Sequence, residues 1–134
     1  MIILVFMTAL TMTISVSAQT DKASIEQTIH QFVKATTDRD VHGMHYLLHE
    51  KFQSVEKPNI LSKSEYMKLL GDRKIGGSAQ KAEILFIDLT ENSASLKVRF
   101  SVGGETTESF VHLYKNDLGS WQILHVLPYS HQKV

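Results

Sequence analysis

The stretch from Gln80 to Tyr129 reads as four consecutive β-strands joined by tight turns, and no other feature limits the possible folds as strongly. Residues 80–90, 93–102, 105–115 and 120–129 are each rich in β-branched or aromatic side chains. Glu91-Asn92, Gly103-Gly104 and Asn116-Asp117-Leu118-Gly119 separate them with turn chemistry. Connections this short join antiparallel neighbours, so the four segments form one meander. The region ahead of them is helical in pattern. The expected fold class is therefore α+β, a curled antiparallel sheet over helices with a cavity between them.

The turns also give a register. A two-residue loop at Gly103-Gly104 sets Val102 opposite Glu105, Phe100 opposite Thr107, Val98 opposite Ser109 and Leu96 opposite Val111. Arg99 then meets Glu108, a favourable cross-strand charge pair. Carried through the Asn116–Gly119 loop, this register puts Val111 beside Leu124 and Ser109 beside Val126. In the other direction Leu96 meets Ile87 and Val98 meets Leu85. One face is then Leu85, Ile87, Leu96, Val98, Phe100, Val111, Leu113, Leu124 and Val126, apolar and suited to receive the helices. The other carries Ile84, Phe86, Lys97, Arg99 and a cluster of Phe110, His112, Tyr114, Trp121, Ile123 and His125. An apolar patch of that size marks a contact surface, and a homodimer through it is expected. A one-residue slip in the last hairpin would instead turn Trp121 inward.

Helical periodicity organises the first half. Ile25, Ile29, Phe32 and Val33 recur on one side of a helix over 23–37, with Ser24 or Asp21 available as its cap. Val41, Met44, Leu47 and Leu48 mark a short second helix, and residues 52–55 an extended segment. Ser62-Lys63-Ser64-Glu65 is a capping box ahead of Tyr66, Met67, Leu69 and Leu70, which gives a third helix ending near Gly71.

The first 18 residues hold no charged side chain, contain Ile2-Ile3-Leu4-Val5-Phe6-Met7 and end in Val16-Ser17-Ala18. That pattern is a signal peptide cut before Gln19, leaving one domain over 19–134 in a secreted or periplasmic setting. The run is too short and too diluted by threonine for a comfortable membrane span, so no membrane partner is expected after cleavage. Zero cysteines leave stability to packing alone. Lys+Arg and Asp+Glu balance at 14 each, and no basic stripe is interleaved with stacking aromatics, so nucleic acid is not an expected partner.

Helix, helix, short strand, helix and long antiparallel sheet together resemble the nuclear transport factor 2-like superfamily, which includes SnoaL-like proteins and ketosteroid isomerase. The ending Phe110-Val111-His112-Leu113-Tyr114-Lys115, followed by Asp117, Gly119 and Ser120-Trp121-Gln122-Ile123, is similar to the subgroup called lumazine-binding. Arg39-Asp40-Val41-His42-Gly43-Met44 before Leu47-Leu48-His49 is similar to another superfamily stretch. The resemblance implies a cystatin-like cone: three N-terminal helices packed on a curved antiparallel sheet of four long strands plus a short one. Laid against ketosteroid isomerase, Glu56 falls where the catalytic carboxylate sits. Phe32 stands in place of the oxyanion-hole tyrosine, and Val111 in place of the protonated aspartate. A base with no donor for the developing enolate lacks the electrostatic contribution that usually matters most, so the isomerase chemistry is not implied.

Two function classes follow, beside a third case in which side chains fill the cone and the protein acts as a dimeric interaction module through its outer surface. One is a binding domain whose cone holds a small, largely apolar molecule against Phe32, Leu96, Val98, Phe100, Val111, Leu113, Leu124 and Val126, oriented by Glu56, Ser109 or Tyr46. The other is an isomerase- or dehydratase-type enzyme with Glu56 as general base. The histidines were weighed as metal ligands: His42, His45 and His49 would share one side of a helix, with Asp38 or Glu50 as a further ligand. His49 at a helix end is equally explained by the dipole and the last carbonyls. Neither a metal nor another cofactor is expected.

Overall fold

In a computed structural model, backbone structure is described for residues 2–133 and side chains for 19–131. The expected signal peptide, 1–18, lies outside the residues with described side chains. Helix α1 spans Ile2–Asp38, α2 Val41–Leu47 and α3 Lys63–Gly71. The strands are β1 (Leu48–Glu56), β2 (Asn59–Ser62), β3 (Gln80–Leu89), β4 (Ser93–Val102), β5 (Glu105–Lys115) and β6 (Trp121–Lys133). They form one six-stranded sheet in the order β2-β1-β6-β5-β4-β3. The sheet is mixed rather than purely antiparallel, because β1 runs parallel to β6. The short extended segment became a hairpin, β1 with β2, and adds a strand to the five expected.

Local chemistry explains the helix ends. Asp40 caps α2 by accepting from the Gly43 N–H at 2.9 Å. Lys63 Nζ donates to the His45 and Leu48 carbonyls at 2.8 and 2.9 Å, satisfying the other end of α2. Ser62 and Glu65 close the capping box on α3. The first helix does not start at Ser24 or Asp21. Asp21 lies within α1, where its Oδ1 accepts from Lys115 Nζ at 3.0 Å and from Trp121 Nε1 at 3.3 Å, tying the helix to the sheet.

The core forms between the helices and one sheet face. Ile25, Ile29 and Phe32 of α1, Met44 of α2 and Leu70 of α3 pack on Phe52, Leu96, Val98, Val111, Leu113 and Ile123, all buried.

The β4–β5 register is the one expected, from Val102 with Glu105 to Leu96 with Val111, including Arg99 with Glu108. Two other registers differ. In β3 a bulge at Leu85 pairs Ile84 with Val98 and Phe86 with Lys97, so Ile84 turns inward and Leu85 is left 39% exposed. In the last hairpin the loop takes in Ser120 as well, and Lys115 pairs with Trp121 rather than with Ser120. Inside that loop the Asn116 N–H donates to the Ser120 carbonyl at 2.9 Å. The added residue flips the strand, so Trp121 and Ile123 enter the core at 5% and 0% exposure and leave the outer face. A second bulge at Leu124 restores outward alternation, setting His112 directly opposite His125 and Val111 opposite Val126.

Candidate functional site

The cone opens where the end of β4 and the start of β5 meet β1 and the C-terminal turns of α1. There a cavity of 220 Å³ is lined by Phe32, Phe100, Val102 and Val126 on its apolar side. Its polar side holds Ser54, Glu56, Tyr66, Gln80, Thr107 and Ser109. Strand alternation explains the set: Ser54 and Glu56 are two apart on β1, Thr107 and Ser109 two apart on β5, and each pair faces one side.

Two acids line the cavity: Glu105, exposed and 3.8 Å from His131, and Glu56, which stands beside Ser54. Ser54 Oγ donates to its Oε1 at a long 3.4 Å. Glu56 is solvent-exposed at the cavity mouth, and partial desolvation by the surrounding protein holds its carboxyl above the usual range, countered in part by that hydrogen bond. Tyr66 comes from the buried side of α3, stacked on Phe32 and edge-on to Phe52. Burial pushes its phenol up to about 12, against a hydrogen bond with Thr36, while the negative charge of Glu56 raises it further. At neutral pH the phenol is therefore a hydrogen-bond donor in the same cavity as the carboxylate. Gln80, at the start of β3, contributes a buried side-chain oxygen that has no hydrogen-bond partner among the described residues.

The residues expected to bind a ligand divide. Phe32, Phe100, Ser109, Val126 and Glu56 line the cavity together. Leu96, Val98, Val111 and Leu113 do not; they are 0–1% exposed and packed in the core. Leu124 is the bulge residue, and Tyr46 stands 65% exposed on α2 with its ring edge-on to His42 and His45. Of the outer-face cluster, Phe110, His112, Tyr114 and His125 remain there, and Trp121 and Ile123 do not. His112 and His125 are cross-strand neighbours with ring centroids 5.8 Å apart.

The helical histidine row also breaks up, because α2 ends at Leu47 and His49 lies on β1, where its Nδ1 accepts from the Lys51 N–H at 3.0 Å. Among the described residues no group of three His, Asp or Glu is placed to hold a metal ion. Also among them, no helix is long and apolar enough to cross a membrane.

Sequence reasoning missed Tyr66 and Gln80, and also Thr36, Ser54, Val102, Glu105, Thr107 and Pro128 of the cavity lining. Tyr66 was legible as a core residue of α3, but it shares a cavity with Glu56 only through the packing of α3 on β1. Gln80 gave no signal beyond its place at a strand start.

Comparison with known proteins follows from this geometry. No curated protein matches the chain. A family model described as "Putative lumazine-binding" matches residues 20–127. Among solved structures, an NTF-2 like protein of unknown function from Silicibacter pomeroyi DSS-3 aligns with a TM-score of 0.70 at 16% identity, covering 87% of this chain and 98% of that one. A protein of unknown function with a cystatin-like fold from Nostoc punctiforme aligns at 0.69 and 13% identity, covering 81% and 89%. A protein from Novosphingobium aromaticivorans DSM 12444, described as "Putative Scytalone Dehydratase", aligns at 0.69 and 13% identity, covering 90% and 91%. At these identities the likeness is one of fold. The chain belongs to the family that this description names, within the nuclear transport factor 2-like superfamily, and has its α+β cone.

Proposed function

We propose that this domain binds a small, largely apolar ring compound in the cone and holds it by at least one N–H or O–H group. The observation that carries the reading is the Gln80 side-chain oxygen, buried in the cavity wall with no partner among the described residues. An unsatisfied buried acceptor costs about 1–3 kcal/mol, and a ligand donor placed there recovers that cost. Glu56 offers a second acceptor, while Phe32, Phe100 and Val126 supply the apolar wall. A volume of 220 Å³ suits one or two fused rings, below the roughly 300–1,000 Å³ of sites for larger ligands.

Saturation-transfer NMR with lumazine and small phenols, each beside its N- or O-methylated partner, tests this. Compounds with a free donor are expected to bind, and their methylated partners not. Equal signals within every pair, or none at all, would contradict the reading.

A second reading, an isomerase- or dehydratase-type enzyme, draws on Glu56 and Tyr66. A carboxylate held up by partial desolvation can take a proton from a carbon acid, and a neutral phenol can donate to the oxyanion that develops. Tyr66 thus offers a donor that Phe32 cannot. Should turnover be found, Glu56→Gln should abolish it while sparing binding; retained turnover removes Glu56 as base.

The proposal retains export directed by residues 1–18 and self-association through the outer sheet face. Phe86, Lys97, Phe110 and Leu127 lie in register across β3 to β6, and Phe86 and Leu127 are 55% and 43% exposed. Such a row on a free surface supports a second copy as its cover. Sedimentation of residues 19–134 tests it; a monomer at high concentration contradicts it.

A further inference from the structure

The cavity has a neighbour at the mouth of the cone. A second hollow, of 370 Å³, adjoins it at the rim, and Glu56, Thr107 and Pro128 belong to both walls. The two hollows differ in charge. No Lys, Arg or His lines the inner one, whereas Lys57 and His131 line the outer. Lys57 sits on the turn between β1 and β2 and enters no ion pair among the described residues. His131 is positioned by Thr107, whose Oγ1 lies 2.8 Å from its Nδ1, and its Nε2 stands 3.8 Å from Glu105 Oε2.

We propose that the bound molecule extends from the cone onto this rim and ends there in a carboxylate that Lys57 meets. This rests on the cone being a ligand site. It adds the class of ligand: a ring inside, an N–H or O–H at the level of Glu56 and Gln80, and an anionic end outside. The order matters electrostatically. A donor beside Glu56 makes that carboxylate a partner, whereas an anion at the same depth would face it unscreened. Glu105 is directed at His131, which leaves Lys57 as the free charge at the mouth. The rim is open to water, so the ion pair contributes selectivity rather than most of the affinity.

Hippurate supplies the three parts in order: a benzoyl ring, an amide N–H and a carboxylate. Its methyl ester lacks only the charge. Calorimetric titration of residues 19–134 should show hippurate binding about three- to fivefold more tightly than the ester, a difference that narrows in high salt. Lys57→Gln should remove the difference and leave affinity for the ester unchanged. Equal affinities in the unmutated protein, or a preference that survives Lys57→Gln, would overturn the rim assignment while leaving the cone intact. Val102→Trp, at a 37% exposed position on the cavity wall, should block both compounds. If the ester fails to bind the unmutated protein, or binds Val102→Trp equally well, the cone reading itself falls, and the rim with it.

Discussion

The Phe32 ring stacks on the Tyr66 ring, with centroids 6.3 Å apart and planes 23° from parallel. Phe32 occupies the place where the isomerase resemblance requires a hydroxyl, and the neighbour stacked on it carries one. A hydroxyl thus lines the cavity from α3 instead of α1. Tyr66→Phe keeps the stack and removes only the hydroxyl and its hydrogen bond with Thr36. It should lower unfolding stability in urea by about 1 kcal/mol, the net contribution of one such bond. A loss of several kcal/mol would mean that the ring packing depends on the hydroxyl.

Glu56 makes stability depend on pH in a definite direction. Partial desolvation raises its carboxyl above the ordinary value of 4.5, so in the window just above 4.5 the folded chain holds a proton that the unfolded chain has lost. Stability from this group therefore falls as pH rises through that window, and the cost persists at neutral pH. Glu56→Gln should raise the melting temperature at pH 7, with the gain vanishing below about pH 4. A lower melting temperature for the variant at pH 7 would contradict the sign.

Trp121 separates the observed register from the one expected. On an outer face its removal would weaken self-association and little else. In the core, at 5% exposure and bonded to Asp21, Trp121→Ala should cost about 3–5 kcal/mol of unfolding free energy, independent of protein concentration. Urea denaturation at two concentrations decides between these outcomes. Domains of this kind have only about 5–15 kcal/mol in total, so the variant should stand near the edge of folding.

His125 acts in the opposite sense to Glu56. Desolvation, and then the charge of His112, holds its imidazole below the ordinary value of 6.5. The unfolded chain takes up the proton first on acidification, so stability is lost as pH falls below about 6.5. Gln53 on β1 and Ser95 on β4 are the cross-strand neighbours of the pair, and neither is charged. His125→Gln should lose less stability between pH 7 and pH 5 than the unmutated chain. An equal loss would place the acid sensitivity elsewhere.

The parts of the fold legible in sequence are those set by local rules. The Gly103-Gly104 turn defines the β4–β5 register because a two-residue loop permits one pairing, and Arg99 with Glu108 agrees with it. The capping box from Ser62 to Glu65 likewise opens α3 where expected. What was lost depends on bulges. Leu85 and Leu124 each add one residue to a strand without a glycine or proline to mark the spot, and Ser120 adds one to a loop whose Gly119 marks the turn but not its length. Each slip exchanges the two faces, which is how Trp121 and Ile123 moved from surface to core. Within the site, Glu56, Phe32, Phe100, Ser109 and Val126 could be named from strand phase and resemblance. Tyr66 and Gln80 could not, because their place in the same cavity as Glu56 depends on how α3 and β3 pack around the mouth of the cone.

The central claim is that the cone is an open receptor with Glu56 and Gln80 at its polar side. Amide chemical-shift mapping during titration with lumazine tests it most directly. The account predicts perturbations confined to Thr36, Ser54, Glu56, Gln80, Thr107 and Ser109, weakened by Gln80→Leu. Shifts on the outer-face strip of Phe110, His112 and His125, with the cone residues unmoved, would contradict it.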